Sequence, residues 1–273
     1  MRTPARVVDA PRQIEGEGFV VRRPFPSPQL RGADPFLLLD HFGPVDYAPG
    51  EATGTGDHPH RGFQTVTYLI DGEMEHHDSL GYSGVLRAGD VQWMVAGDGV
   101  VHRERPTARM LREGGRVHGF QLWVNLPRAQ KRTAPRYQDV PAAHIPVETR
   151  PGATIRRISD AVETMVPVVY AHVTLAGETT LAVPDDHLAY AYVFAGEVLV
   201  GGAPVREGQL AVLEGTGDVA LAGAGELMFL AGRPLREPVA WHGPFVMNEE
   251  REIVEAIADY RAGRMGRIAP RVG

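Results

Sequence analysis

Gln64-Thr65-Val66-Thr67-Tyr68-Leu69-Ile70-Asp71-Gly72-Glu73 decides the fold class, because a β-forming run ends there in a turn signal that returns far downstream. Threonine, valine, tyrosine and isoleucine suit a pleated strand, and Asp-Gly is a strong hairpin signal. Tyr68-Leu69-Ile70-Asp71-Gly72-Glu73 reappears as Tyr192-Val193-Phe194-Ala195-Gly196-Glu197, and Arg87-Ala88-Gly89-Asp90-Val91 as Arg206-Glu207-Gly208-Gln209-Leu210. Two matches in the same order at similar spacing point to duplication of one β unit. Short strand-like runs between glycine or proline turns fill the rest of the chain, among them Val91-Gln92-Trp93-Met94-Val95 before Gly97-Asp98-Gly99.

The expected architecture is therefore all-β. A first domain spans 1–130, a linker spans 131–148 within the proline- and arginine-rich region that begins near Leu126, and a second domain spans 149–273. Only the C-terminal end has a helical pattern. Asn248 reads as an N-cap, Glu249, Glu250 and Glu252 lie near the helix start, and Ile253, Ile257 and Tyr260 form a stripe before Gly263.

His58-Pro59-His60 and His102-Arg103-Glu104 carry the chemistry. Alternate side chains of a strand leave the same face, so each i, i+2 pair can aim both members at one point. Three imidazoles and a carboxylate suit iron, manganese, nickel, copper or zinc better than magnesium or calcium, which favour all-oxygen shells. Zero cysteines remove thiolate ligands and disulfides, so nitrogen and oxygen must hold any metal. The repeat places Ala182 and Pro184 opposite His58 and His60, and Leu221 and Gly223 opposite His102 and Glu104. One metal per chain is expected, in the first domain. His172, His187 and His242 read as surface or hydrogen-bonded histidines.

Composition narrows the rest. The chain has 273 residues, 43% hydrophobic and 23% charged, which is ordinary globular material. Net charge is −6, and arginines are scattered among acids with Lys131 the sole lysine, so direct nucleic-acid binding gains no support. No run approaches the ~18 apolar residues of a membrane span, and Met1 to Gly18 lacks the apolar centre of a signal peptide. A cytoplasmic location with no membrane partner is the expectation.

The chain resembles the pirin family along most of its length. Asp34-Pro35-Phe36-Leu37-Leu38-Leu39-Asp40-His41-Phe42-Gly43 looks like the family's entry signature. His58-Pro59-His60-Arg61-Gly62-Phe63, Asp78-Ser79-Leu80-Gly81, Gly89-Asp90-Val91-Gln92-Trp93-Met94, His102-Arg103-Glu104, Gln121-Leu122-Trp123-Val124-Asn125-Leu126-Pro127 and Gly243-Pro244-Phe245-Val246-Met247-Asn248 follow in the pirin order. Pirins belong to the cupin superfamily, so the resemblance implies a bicupin: two small β-barrels with the metal in the N-terminal one. It implies iron, as Fe(II), held by His58, His60, His102 and Glu104.

The resemblance also implies an activity. Some pirins resemble quercetin 2,3-dioxygenases, with a flavonol and dioxygen as substrates and Glu104 as proton acceptor as well as ligand. The resemblance implies, as the alternative, a different class: a redox- or metal-responsive regulator that binds a transcription factor or a metabolic enzyme as protein partner. A metal-dependent isomerase or another cupin enzyme is a third reading, since fold does not fix function. His41, Trp93 and Phe63 are candidate pocket walls. Pirins commonly keep a glutamate where this chain has Gln64, which makes that position a neutral candidate for orienting a ligand. Arg103 is expected to point away from the metal.

Overall fold

The computed structural model describes residues 1–16 and 18–269; residue 17 and the last four positions of the expected second domain lie outside the described residues. Strands dominate, as expected, with two α-helices, Ala108–Glu113 and Glu250–Arg261, among the described residues. No helix there is long and apolar enough to cross a membrane.

The chain forms two compact units, and neither is contiguous in sequence. One takes Met1–Arg12, Arg22–Leu39 and Ala143–Leu235; the other takes Gln13–Val21, Asp40–Ala142 and Arg236–Gly273. This differs from the linear division at 131–148, because both ends of the chain cross over. The strand Thr3–Asp9 pairs antiparallel with Gln209–Glu214 and covers a sheet edge that would otherwise expose unpaired backbone. The C-terminal helix buries Ile253 and Ala256 in a cluster with Val101, Phe245 and Met247, which belongs to the other unit. Its start also lies one residue later than expected. Glu249 is the N-cap, its N–H donating to Glu252 Oε2 at 2.9 Å, while Asn248 turns its amide to the Pro238 carbonyl at 2.8 Å.

The first unit is an eight-stranded sheet in the order Thr3–Asp9, Gln209–Glu214, Leu188–Val200, Val219–Gly232, Val168–Leu181, Ala153–Arg157, Val147–Arg150, with Ala203–Arg206 paired to Leu188–Val200. Its interior is apolar: Ile155, Val173, Val193, Leu221 and Phe229 are fully buried. Each such side chain contributes roughly 1.5–3 kcal/mol on burial. Leu221, the counterpart of His102 in the repeat, is one of these packed residues.

A seven-stranded sheet, most of whose residues belong to the second unit, runs Arg136–Val140, Val91–Val95, Phe63–Asp71, Gly115–Asn125, Phe36–Tyr47, Phe19–Phe25, Arg12–Glu15. A four-stranded sheet runs His58–His60, Val100–Pro106, Glu73–Asp78, Ser83–Arg87. Asp71-Gly72 is not the hairpin its sequence suggests. Phe63–Asp71 and Glu73–Asp78 lie in different sheets, and Gly72 is the corner between them, where a Cβ would meet the Arg116 carbonyl at 2.6 Å.

The duplication is visible in backbone detail. Opposite Gly119 and His118, the strand through Leu69 and Asp71 carries one extra residue, Ile70; opposite Leu227 and Glu226, the strand through Val193 and Ala195 carries Phe194. These bulges occupy equivalent positions of the two repeats. The turns match as well: Arg87 N–H donates to Asp90 Oδ2 at 2.9 Å and Arg206 N–H to Gln209 Oε1 at 3.0 Å. Gly89 N–H bonds the Leu69 carbonyl at 2.8 Å, and Gly208 N–H the Val193 carbonyl at 2.9 Å.

The six-residue helix Ala108–Glu113 was not expected. Thr107 caps it, accepting from Met110 N–H at 3.2 Å, and Gly114 ends it at φ 71. Both signals stand in the sequence, but a helix this short shows no readable periodicity.

Candidate metal centre

One strand register gathers the histidines. His58–His60 runs antiparallel to Val100–Pro106 with His58 opposite His102 and His60 opposite Val100, so side chains 58, 60, 102 and 104 leave one face. Ring centroids are 4.2 Å apart for His58 and His102, and 4.8 Å for His60 with either His58 or His102. One candidate ligand atom from each of the three lies within 4.8 Å of the others.

The rings are prepared for a cation. His58 donates from Nδ1 to the Gly56 carbonyl at 2.8 Å, which fixes its tautomer and leaves Nε2 as the donor atom. Nδ1 of His60 and both ring nitrogens of His102 are buried without a hydrogen-bond partner. An unmet buried nitrogen costs about 1–3 kcal/mol, and coordination removes that cost. Burial pushes His60 and His102 well below the ordinary imidazole range, and the neighbouring imidazoles push further. Neutral imidazole is the form that binds metal, so these residues fit a divalent transition metal.

The group of mutually close candidate ligand atoms comprises the three imidazoles, and Glu104, on the same strand face, makes contacts of its own. Its Oε1 accepts from Thr67 Oγ1 at 3.1 Å, and its side chain lines a pocket with Val21, Asp40, Phe42, Met74 and Gln121. Burial raises its pKa, opposed by His58 and the Thr67 hydrogen bond. Arg103, between the two candidate ligands, points to the opposite side and pairs with Asp57 at 3.4 Å.

Of the expected pocket walls, only Phe63 stands against the cluster. Its ring and that of Trp123 are each 5.1 Å from His60, and they stack on each other at 4.2 Å. Gln64 and Trp93 occupy the other face of their sheet, since Thr67 of the same strand reaches Glu104 and side chains alternate. There Gln64 accepts from Trp93 Nε1 at 3.0 Å, and both are wholly buried. Gln64 therefore orients Trp93 rather than a ligand. His41 turns away from the pocket that Asp40 and Phe42 line, bonding His118 at 2.8 Å and stacking on Phe120 at 4.7 Å.

Two neighbours escaped the sequence reading. His76 lies opposite Glu104, with its ring 4.9 Å from that of His102 and its Nε2 3.3 Å from the Tyr137 hydroxyl. Burial, helped by His77 and His58, lowers its pKa to about 3. Its signal was the alternation Met74, His76, Asp78 along the strand after Gly72, weak because only one member is a histidine. Thr67 had no signal beyond its place in a strand. In the other unit His172 bonds Glu226 at 2.9 Å and His187 bonds Asp186 at 2.7 Å, whereas His242, in the same unit as the cluster, is exposed.

Residues 18–124 match the pirin family and residues 168–266 match the pirin C-terminal cupin domain. A pirin-like protein of Caulobacter vibrioides is 40% identical over 97% of this chain and 99% of its own length. A crystal structure of quercetin 2,3-dioxygenase from Acinetobacter baumannii aligns with a TM-score of 0.92 and 36% identity, covering 98% of this chain and 100% of that one. A bacterial pirin of Escherichia coli, solved in complex with nickel(II), shares the fold at a TM-score of 0.66 and 19% identity, over 86% of this chain and 99% of that one.

Proposed function

The chain belongs to the pirin family, and from that premise we propose that it is a metal-dependent oxidoreductase, a dioxygenase of the quercetin 2,3-dioxygenase type acting on flavonols or similar enolic aromatics. The observation that carries this reading is the convergence of His58, His60 and His102, with unpartnered buried ring nitrogens, beside a pocket that contains Glu104. We assign the three histidines as ligands and Glu104, on the same strand face, as the fourth. Fe(II) is the proposed metal, with manganese, nickel, copper and zinc as the alternatives to compare. When bound, it supplies a Lewis acid for the enolic oxygen and a centre for dioxygen chemistry.

The chain's own groups do the rest. Val21, Phe42 and Met74 offer apolar walls to an aromatic ring and exclude water. Glu104 takes the proton of the enolic hydroxyl, and its raised pKa brings it nearer to the value a general base needs. Thr67 holds that carboxylate by one hydrogen bond. The test is product analysis with quercetin under air. Ring opening with carbon monoxide released in proportion to flavonol consumed supports the assignment; flavonol loss without carbon monoxide refutes this reaction type.

A further inference from the structure

The residues that follow His60 are gripped by two buried cations. Arg61, 2% exposed, donates from Nε to the Asp98 carbonyl at 2.6 Å and from Nη1 to Asp259 Oδ2 on the C-terminal helix at 2.8 Å. Lys131, 1% exposed, donates to the carbonyls of Gly62 at 2.8 Å and Val246 at 3.0 Å, and to Asn125 Oδ1 at 2.7 Å. All three ammonium protons are used. The backbone completes the junction: Gly62 N–H bonds the Gly97 carbonyl at 2.8 Å, and Val246 N–H bonds the Arg61 carbonyl at 3.0 Å. A Cβ on Gly62, at φ +91, would stand 1.9 Å from the Val246 carbonyl, so glycine alone permits the approach.

This junction ties the two ligand-bearing strands together. Arg61 and Gly62 leave His60, whereas Gly97 and Asp98 begin the turn that enters Val100–Pro106 and so precede His102. Desolvating two cations is costly unless they find acceptors, and here two of the five acceptors, the carbonyls of Gly62 and Asp98, belong to the segments flanking the histidines.

We propose that Arg61 and Lys131 are positioning residues that set His60 against His58 and His102, and that Asp259 couples this setting to the docking of the C-terminal helix. The inference rests on the three-histidine cluster being a metal site, and it adds a distant helix to the determinants of metal affinity. Such coupling is reciprocal: if the helix tightens metal binding, metal binding must protect the helix.

Cobalt(II) tests this on the full-length protein, because its visible spectrum reports ligand geometry and competition with a chelator reports affinity. Asp259→Asn and Lys131→Met should each weaken cobalt binding about 10- to 100-fold and alter the spectrum, with Asp259→Glu recovering most of the loss. Amide exchange in Glu250–Arg261 should slow on adding cobalt to the parent protein and not to Asp259→Asn. A merely structural role would lower the melting temperature of the metal-free variants and leave the cobalt spectrum and affinity unchanged, and that result overturns the proposal. Lys131→Met strands three buried acceptors, so if it does not fold Asp259→Asn decides alone. Cobalt binding that is absent in the parent, or that survives His102→Ala, would instead overturn the metal site beneath it.

Discussion

Thr67 Oγ1 lies 3.1 Å from Glu104 Oε1 and donates its proton to that carboxylate. The same hydroxyl lies 3.0 Å from Gln121 Oε1, so its one proton faces two acceptor oxygens, that of the Glu104 carboxylate and that of the Gln121 amide. The Thr67 bond to Glu104 favours the ionised carboxylate. Thr67→Val removes a bond that lowers the Glu104 pKa. Metal uptake that requires ionised Glu104 should then shift to higher pH, by roughly one unit if the bond contributes about 1 kcal/mol. Cobalt titrations at a series of pH values measure this. A shift to lower pH, or none, would remove Glu104 from the binding equilibrium.

Metal should stabilise the folded chain with the logarithm of its excess over the dissociation constant, by about 2.7 kcal/mol at a hundredfold excess. His58→Ala and His102→Ala should abolish stoichiometric metal and this thermal shift while the strands persist by circular dichroism. Full metal content in either variant would refute the ligand assignment.

Metal-free stability should depend on pH in a defined direction. His60, His102 and His76 have folded pKa values below the ordinary 6.5, so the unfolded chain holds protons more tightly than the folded one. Their stabilising contribution is complete above that ordinary value and is lost as pH falls through it. Glu104, with a raised pKa, contributes in the opposite sense, its part being present at low pH and lost as pH rises above its ordinary 4.5. Three histidines against one carboxylate should lower the denaturation midpoint between about pH 7 and about pH 5. A flat or rising midpoint over that interval would contradict the burial of neutral rings.

Gln64 separates a structural role from a catalytic one. Because it receives the Trp93 N–H in a sealed site, Gln64→Leu should cost about 1–3 kcal/mol of stability and leave metal content and turnover of the folded fraction unchanged. Gln64→Glu keeps the acceptor and should likewise leave metal content as it is. Equilibrium unfolding with metal analysis distinguishes these outcomes from a change in turnover at constant stability.

Much of this was legible in the chain itself. The two His-containing i, i+2 pairs could be read because strand alternation is a local rule, and the repeat could be read because its bulges and turns need the same residue types in both copies. The pairing of Thr3–Asp9 with Gln209–Glu214 could not, since nothing in either segment names a partner 200 residues away. The place of Gln64 was misread for a related reason. Motif spacing puts it four residues after His60, but the turn at Arg61 and Gly62 starts a new strand whose alternation sends Gln64 to the far face. Helix Ala108–Glu113 was missed because six residues show caps without period.

The measurement that bears most directly on the dioxygenase assignment is oxygen uptake with quercetin, on anaerobically purified protein of known iron content, beside its Glu104→Ala variant. Uptake proportional to bound iron and lost in the variant is the expected result. One iron per chain held by the histidines with no uptake above the buffer rate would contradict it and turn attention to a metal-responsive regulator.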